Sequence, residues 1–292
     1  MFKSYLIALV ATLSILVHTA HAQFGAPKTQ AELIPEYTTV SPGQSLTIAM
    51  KLTHETPWHS YFINAGLEYF ITPSLTWSAP EGLTSSELIF PTPHEVSTPS
   101  ATIYAYDGTN YFLTHITVPA TLQSGDSFTL SGTAGWQVCD DSSCLAPKSE
   151  EFTLNLAVAD QSIENAHYQQ VTTYGLKNIP SKTLPEGLEF SASEADGKIT
   201  FNVNSELPEG SQFFEYDHQI DVQAERPVAT KDGETVFTGD RRKESETLSN
   251  LRGILYTPTK LAGSEQQSFW IDIPFGAAPE STATSALVGS ES

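Results

Sequence analysis

"SLTIAMKL", residues 45–52, carries Leu46, Ile48, Met50 and Leu52 at every second position. A period of two marks a strand with one face in a core, because successive side chains leave a pleated backbone on opposite sides. The same beat returns in "FTLSGTAGW", 128–136, where Phe128 and Leu130 alternate with polar and small residues. "FTLNLAV", 152–158, repeats it through Phe152, Leu154, Leu156 and Val158. Between such runs stand "SPGQ", "APEG", "YDGT" and "QSGD", whose Gly, Pro and Asp are turn formers. No long stretch has a helical period. These spacings predict an antiparallel β-sandwich for the first part of the chain.

Further along, "ADQSIENAHYQQVTTYG", 159–175, holds too few apolar residues for a strand pair and reads as a connection. A second series of strands follows it: "GLEFSAS", "KITFNVNS", "QIDVQA", "ETVF", "GILY" and "SFWIDIPF". Asp196-Gly197 and Asp232-Gly233 are tight-hairpin dipeptides. The chain is therefore expected to be all-β, with two tandem immunoglobulin-like antiparallel β-sandwich domains. Their expected limits are 23–159 and 160–276, after a signal peptide at 1–22 and before a disordered tail at 277–292.

The signal peptide is read from Lys3, the apolar run "YLIALVATLSILV" and the Ala20-x-Ala22 arrangement of a cleavage site. That run is shorter than the ~20 apolar residues a membrane span needs. Export to an oxidising compartment is expected, where a close cysteine pair can form a disulfide. Composition narrows the partners. With 34 acidic against 14 basic side chains the net charge is −20, which repels nucleic acid and anionic lipid surfaces. No later run is long enough to span a bilayer, so no direct membrane insertion is expected.

The only two cysteines, Cys139 and Cys144, lie in "GWQVCDDSSCLAPKSEEFTLNL", 135–156. Three chemistries compete for them. A staple across so short a loop contributes roughly 2 kcal/mol by chain entropy, which a chain with two cores scarcely requires. A structural zinc site needs two further ligands, and no second C-x-x-C or H-x-x-x-H is present. His54, His59, His94 and His115 read as ordinary core or surface residues, and no cofactor or metal is expected. Redox exchange needs two thiols able to close on each other after one has attacked a partner disulfide. Asp140 and Asp141 follow Cys139 directly and disfavour its thiolate, so activation by a docked partner is expected.

Five segments bear a resemblance: "PWHSYFINAG" at 57–66, "PSLTWSAPEGL" at 73–83, "FPTPHEV" at 90–96, "YAYDG" at 104–108 and "GWQVCDDSSCLAP" at 135–147. In order and spacing they resemble the N-terminal periplasmic domain of the DsbD thiol:disulfide interchange proteins, and more narrowly its two-domain version in the copper-sensitivity suppressor ScsB group. "IENAHYQQ", "SQFFEYD" and "LRGILY" resemble that family's second immunoglobulin-like module. "GDRRKE", 239–244, reads as a solvated turn.

The resemblance implies a periplasmic protein that takes electrons from, or gives them to, thioredoxin-like periplasmic domains. It implies that Cys144 forms mixed disulfides and that Cys139 resolves them. It also implies a cap loop over the disulfide, here Tyr104, Tyr106, Asp107 and Gly108, with Tyr106 at its tip. Family members usually continue into a multi-helix membrane domain, so a separate membrane electron-transfer protein is expected as a further partner. Two other readings are an immunoglobulin-like binding or scaffold module with a structural disulfide, and a copper-handling protein using the two thiols with a nearby histidine.

Overall fold

A computed structural model describes residues 28–78, 83–97, 101–243, 245 and 248–276. The expected signal peptide, the expected tail and "APEG" at 79–82 lie outside the described residues. In the first module the alternating runs become β1 (Thr29–Pro35), β2 (Tyr37–Val40), β3 (Ser45–His54), β4 (Ser60–Tyr61), β5 (Ser74–Ser78) and β6 (Thr84–Ser85). They are followed by β7 (His94–Ser97), β8 (Thr102–Tyr106), β9 (Thr109–Thr117), β10 (Ser127–Trp136), β11 (Lys148–Val158) and β12 (Ile163–Glu164).

One sheet has the order β1-β3-β9-β6 and the facing sheet β12-β2-β11-β10-β5. Leu46, Ile48, Met50 and Leu52 of β3 are all buried, against Phe128 and Leu130 of β10 and Leu156 and Val158 of β11. The period of two thus marks one wall of the core. A third, smaller sheet has the order β4-β8-β7.

The second module comprises β13 (Phe190–Ala195), β14 (Lys198–Val203), β15 (Gln212–Glu215), β16 (Val228–Lys231), β17 (Glu234–Asp240), β18 (Asn250–Tyr256) and β19 (Ser268–Gly276). Two antiparallel sets, β15-β18-β19 and β13-β14-β17-β16, meet in a short parallel seam at Ala192↔Phe275 and Ser193↔Gly276. Ile199 and Phe201 of β14 share a core with Leu251 and Leu255 of β18 and Phe269 of β19, so the sheet folds over on itself. Both Asp-Gly pairs sit at hairpins with positive φ at each residue, 51° and 72° at 196–197 and 55° and 84° at 232–233. That is the conformation two-residue β-turns require. The fold is all-β and immunoglobulin-like, and among the described residues short helical turns occur only between the modules.

Three sequence expectations need correction. Residues 160–179, assigned to the second domain, pack on the first: β12 pairs with β2, and Tyr168 and Val171 bury against Ile34, Ala49, Tyr111 and Leu113 on the outer face of β1-β3-β9. Two large side chains three apart on a helical turn are enough to cover that face, each contributing about 1.5–3 kcal/mol when fully buried. "QIDVQA" makes only a single bridge, Ile220 to Arg241, and not a strand, with the Gln219 and Ile220 backbone N–H groups turned to the Glu215 carboxylate. "GDRRKE" is not simply solvated, since Arg242 reaches Glu68 of the first module at 2.5 Å.

The modules share a core. Phe214, Val222 and Ile254 of the second belong to the same apolar cluster as Phe62, Tyr104 and Trp136 of the first. Tyr104 meets Phe214 edge to face with centroids 4.8 Å apart, and Phe62 meets Tyr216 at 5.8 Å. Gln223 stitches the junction, donating to Thr102 O at 2.8 Å and Gly66 O at 3.1 Å while accepting from Thr102 N at 3.0 Å. Gly66 is required there: its φ is +93°, and a Cβ would lie 2.8 Å from Thr102 O.

Candidate functional site

β10 delivers Trp136 into the core and then runs past the end of the sandwich as a loop, 137–147, before β11 returns. Asp140 folds that loop. Its Oδ1 accepts from the backbone N–H of Ser142 at 2.9 Å and of Ser143 at 2.7 Å, and from both serine hydroxyls. Those bonds, led by the ones from Ser142, hold its pKa below the usual carboxylate value. Asp140 N donates to Ser143 O and Leu145 N to Val138 O, both at 2.9 Å. The turn brings Cys144 opposite Cys139 with Cα atoms 4.0 Å apart, and the two are joined as a disulfide.

The bond is asymmetric. Cys139 is 2% exposed, in a small cluster with Tyr61, Ala65, Ile103 and Ala105, whereas Cys144 is an exposed residue. On its other side Cys139 pairs with His59 through two backbone hydrogen bonds, His59 N to Cys139 O at 3.0 Å and Cys139 N to His59 O at 3.1 Å. His59, Cys139 and Cys144 therefore lie side by side across three backbone segments. Lateral neighbours share a sheet face, so their side chains project the same way.

The structure corrects the placement of the two tyrosines proposed for the cap. β8 alternates, sending Ile103 and Ala105 toward Cys139 and Tyr104 and Tyr106 into the main core. Tyr106 is 1% exposed, donates its hydroxyl to Pro91 O at 2.7 Å and packs edge to face on Phe112 at 5.1 Å. Its hydroxyl is not in water, and burial raises its pKa well above the ordinary value. Tyr104 faces the second module, where the Arg226 guanidinium lies over its ring and donates to its hydroxyl. Asp107 and Gly108 form the exposed β8–β9 turn. Asp107 lies 3.8 Å from His94 Nε2, and Gly108 O accepts from His54 N at 2.7 Å.

Sequence reasoning missed the aromatic cover that the structure does place beside the buried cysteine. Tyr61 stacks on Phe70 at 3.8 Å, and both pack in the Cys139 cluster. Next to Cys144 in sequence, Leu145 is a solvent-exposed apolar residue, linked to the exposed Ile71 through Gln137, which accepts from Ile71 N and donates to Leu145 O; Tyr69, also exposed, packs on Phe70. Among the described residues no group of three or more His, Cys, Asp or Glu side chains converges on a metal position.

An all-β immunoglobulin-like protein with a loop disulfide, one sulfur-bearing residue buried and the other exposed, is the class that this geometry defines. Residues 30–156 match the family model described as the N-terminal domain of thiol:disulfide interchange protein DsbD. The N-terminal periplasmic domain of ScsB from Proteus mirabilis superposes with a TM-score of 0.54 at 12% identity, covering 85% of this chain and 94% of that one. At that identity the likeness is one of fold. A marsupial T cell receptor (TM-score 0.21, 10% identity, 86% and 98% covered) and the YadV chaperone (0.22, 8%, 84% and 100%) superpose too poorly to add to it. No curated protein sequence matches the chain. No helix among the described residues is long and apolar enough to cross a membrane.

Proposed function

We propose that this protein is a periplasmic thiol-disulfide exchange module, passing reducing equivalents between the Cys139/Cys144 pair and thioredoxin-like partners. The single observation that carries the reading is the asymmetry of the disulfide. A partner thiolate must approach a sulfur in line with the S–S bond, and only Cys144 is exposed to such an approach. Cys139 then leaves as the buried thiolate and later returns to resolve the mixed disulfide. The DsbD-type family match over 30–156 supports the same chemistry, and the exposed apolar residues Ile71 and Leu145, joined through Gln137 of the cysteine loop, give a docked partner apolar surface. The leader-like N-terminus supports export.

The test is the reduction potential of the pair, set by equilibration with dithiothreitol, together with the rate of exchange with reduced thioredoxin. A working pair equilibrates at a potential above roughly −300 mV and exchanges with thioredoxin faster than with dithiothreitol. A potential below that value with no protein exchange makes the bridge structural.

A further inference from the structure

Resolution of a mixed disulfide on Cys144 requires Cys139 to lose a proton in a place hostile to a thiolate. Its surroundings are Tyr61, Ala65, Ile103 and Ala105, and the acidic Asp140 and Asp141 follow it in sequence. Low dielectric and nearby negative charge both keep the thiol protonated. A base beside the sulfur removes that obstacle, and the structure supplies one candidate in register.

We propose that His59 is the proton acceptor for the Cys139 thiol in the resolving step. The inference rests on the exchange reading above and deepens it. His59 is the direct cross-strand neighbour of Cys139, held by both backbone hydrogen bonds of the pair, with Cys144 on the opposite flank. Opposed residues of an antiparallel pair carry their Cβ atoms about 5 Å apart on one face. The ring is nearly sealed, His59 being 8% exposed. Nδ1 lies 3.4 Å from Pro57 O, which can only accept, an arrangement that favours the neutral tautomer with the proton on Nδ1 and the Nε2 lone pair as acceptor. Nε2 points to the Tyr61 side, with the Tyr61 hydroxyl 3.4 Å away, and Tyr61 packs in the Cys139 cluster.

Burial is the main influence on the ring and lowers its pKa, so the imidazole is neutral and ready to accept. Asp141 from the cysteine loop and Asp107 from the β8–β9 turn face it and favour the charged form, while His94 of β7 opposes it. His54 of β3 is a further neighbour, itself kept neutral by burial with a pKa of about 4. The two carboxylates are thus placed to steady an imidazolium that exists only while the thiol is ionised.

The step balances as follows. Nε2 takes the Cys139 proton, the Cys139 sulfur attacks Cys144 Sγ, and the Cys139–Cys144 bond forms as the bond from Cys144 to the partner breaks. The electron pair leaves on the partner sulfur as thiolate, which takes up the proton. The cysteine pair is oxidised and the partner reduced.

Reduced protein mixed with dithiobis(nitrobenzoate) tests this directly. The Cys144 attack releases one thionitrobenzoate, and the Cys139 attack on the resulting mixed disulfide releases a second. In His59→Gln the first release keeps its rate, and the second slows by about tenfold or more at neutral pH. The wild-type second phase levels off above the lowered histidine pKa, whereas the variant's rises with pH as a thiolate reaction does. A second phase of unchanged rate and pH profile in His59→Gln overturns the proposal and leaves exchange standing. Absence of any second release from wild type overturns the exchange reading itself. Should His59→Gln fail to fold, the NMR titration of the His59 ring in wild type decides. A second inflection, present in the reduced protein and absent in the oxidised one, is the coupling expected of a shared proton; identical titrations in both states overturn the proposal.

Discussion

Asn64 of the first module donates through Nδ2 to Glu215 Oε2 of the second at 2.9 Å, with both side chains sealed from solvent. The same carboxylate accepts from the backbone N–H groups of Asp217 at 2.6 Å and Gln219 at 2.9 Å. Burial nevertheless outweighs those bonds and pushes the Glu215 pKa from 4.5 up to about 7. The folded protein therefore binds a proton that the unfolded chain releases between these values. Its stabilising contribution is fully present below about pH 4.5 and is lost as pH rises through about 7. One unit is worth about 1.4 kcal/mol, so the loss is on the order of 3 kcal/mol. Urea midpoints of wild type should fall across this window, and Glu215→Gln should remove the slope. Parallel profiles for the two proteins would refute it.

The unequal exposure of the cysteines predicts unequal trapping. Cys139→Ala leaves the exposed Cys144 free to hold a partner, so mixed disulfides with a thioredoxin-like protein should accumulate on a non-reducing gel. Cys144→Ala leaves a thiol that is 2% exposed and should trap little or nothing. Equal trapping by both variants would discard the division of labour without touching exchange as such.

Shielding of the bond separates two sets of aromatics. Tyr106→Ala empties a core position and should cost about 3–5 kcal/mol, as other large aromatic truncations do. Tyr106→Phe loses only the bond to Pro91 O, at about 1 kcal/mol. Neither should selectively speed reduction by dithiothreitol. Phe70→Ala, which unstacks Tyr61 beside Cys139, should speed it severalfold with a smaller change in urea midpoint. If Tyr106→Ala accelerates reduction at an unaltered midpoint, the cap belongs to β8 after all.

What was legible in the sequence was whatever a local rule controls. Leu46, Ile48, Met50 and Leu52 announce β3 through a period of two, and Asp196-Gly197 announces a hairpin through the φ its turn requires. The cysteine pair was legible from its spacing and company. The face that Tyr106 presents was not, because a shift of one residue in register exchanges the two sides of a strand. "YAYDG" reads equally well with the tyrosines over the disulfide or under it. Nor was the junction between modules visible. Asn64 and Glu215 are 151 residues apart and Gln223 and Gly66 are 157, and no pattern local to either partner encodes such a pairing. His59 looked ordinary for the same reason: its backbone bridge to Cys139 joins residues 80 positions apart, which no local pattern encodes.

Asp140 offers a test of how the loop sets the redox balance. Its carboxylate binds Ser142 and Ser143 through four hydrogen bonds that fold the turn carrying Cys144 opposite Cys139, and none of these bonds involves a sulfur. A pre-folded loop keeps the two thiols at high effective concentration and favours the closed disulfide. Asp140→Ala frees the turn, so closure must order several residues again. The oxidised form should lose ground, and the potential should move up by roughly 30 mV for each tenfold loss in the closure constant. Asp140→Asn keeps one acceptor oxygen and should fall between. Because the bonds hold the Asp140 pKa below the usual carboxylate value, the effect is present above that usual value and is lost as pH falls through the lowered one. Redox titration against glutathione at neutral pH, scored by alkylation of the free thiols, measures it. Identical potentials for wild type and Asp140→Ala would mean that the strand pairing on either side, and not this turn, holds the cysteines together.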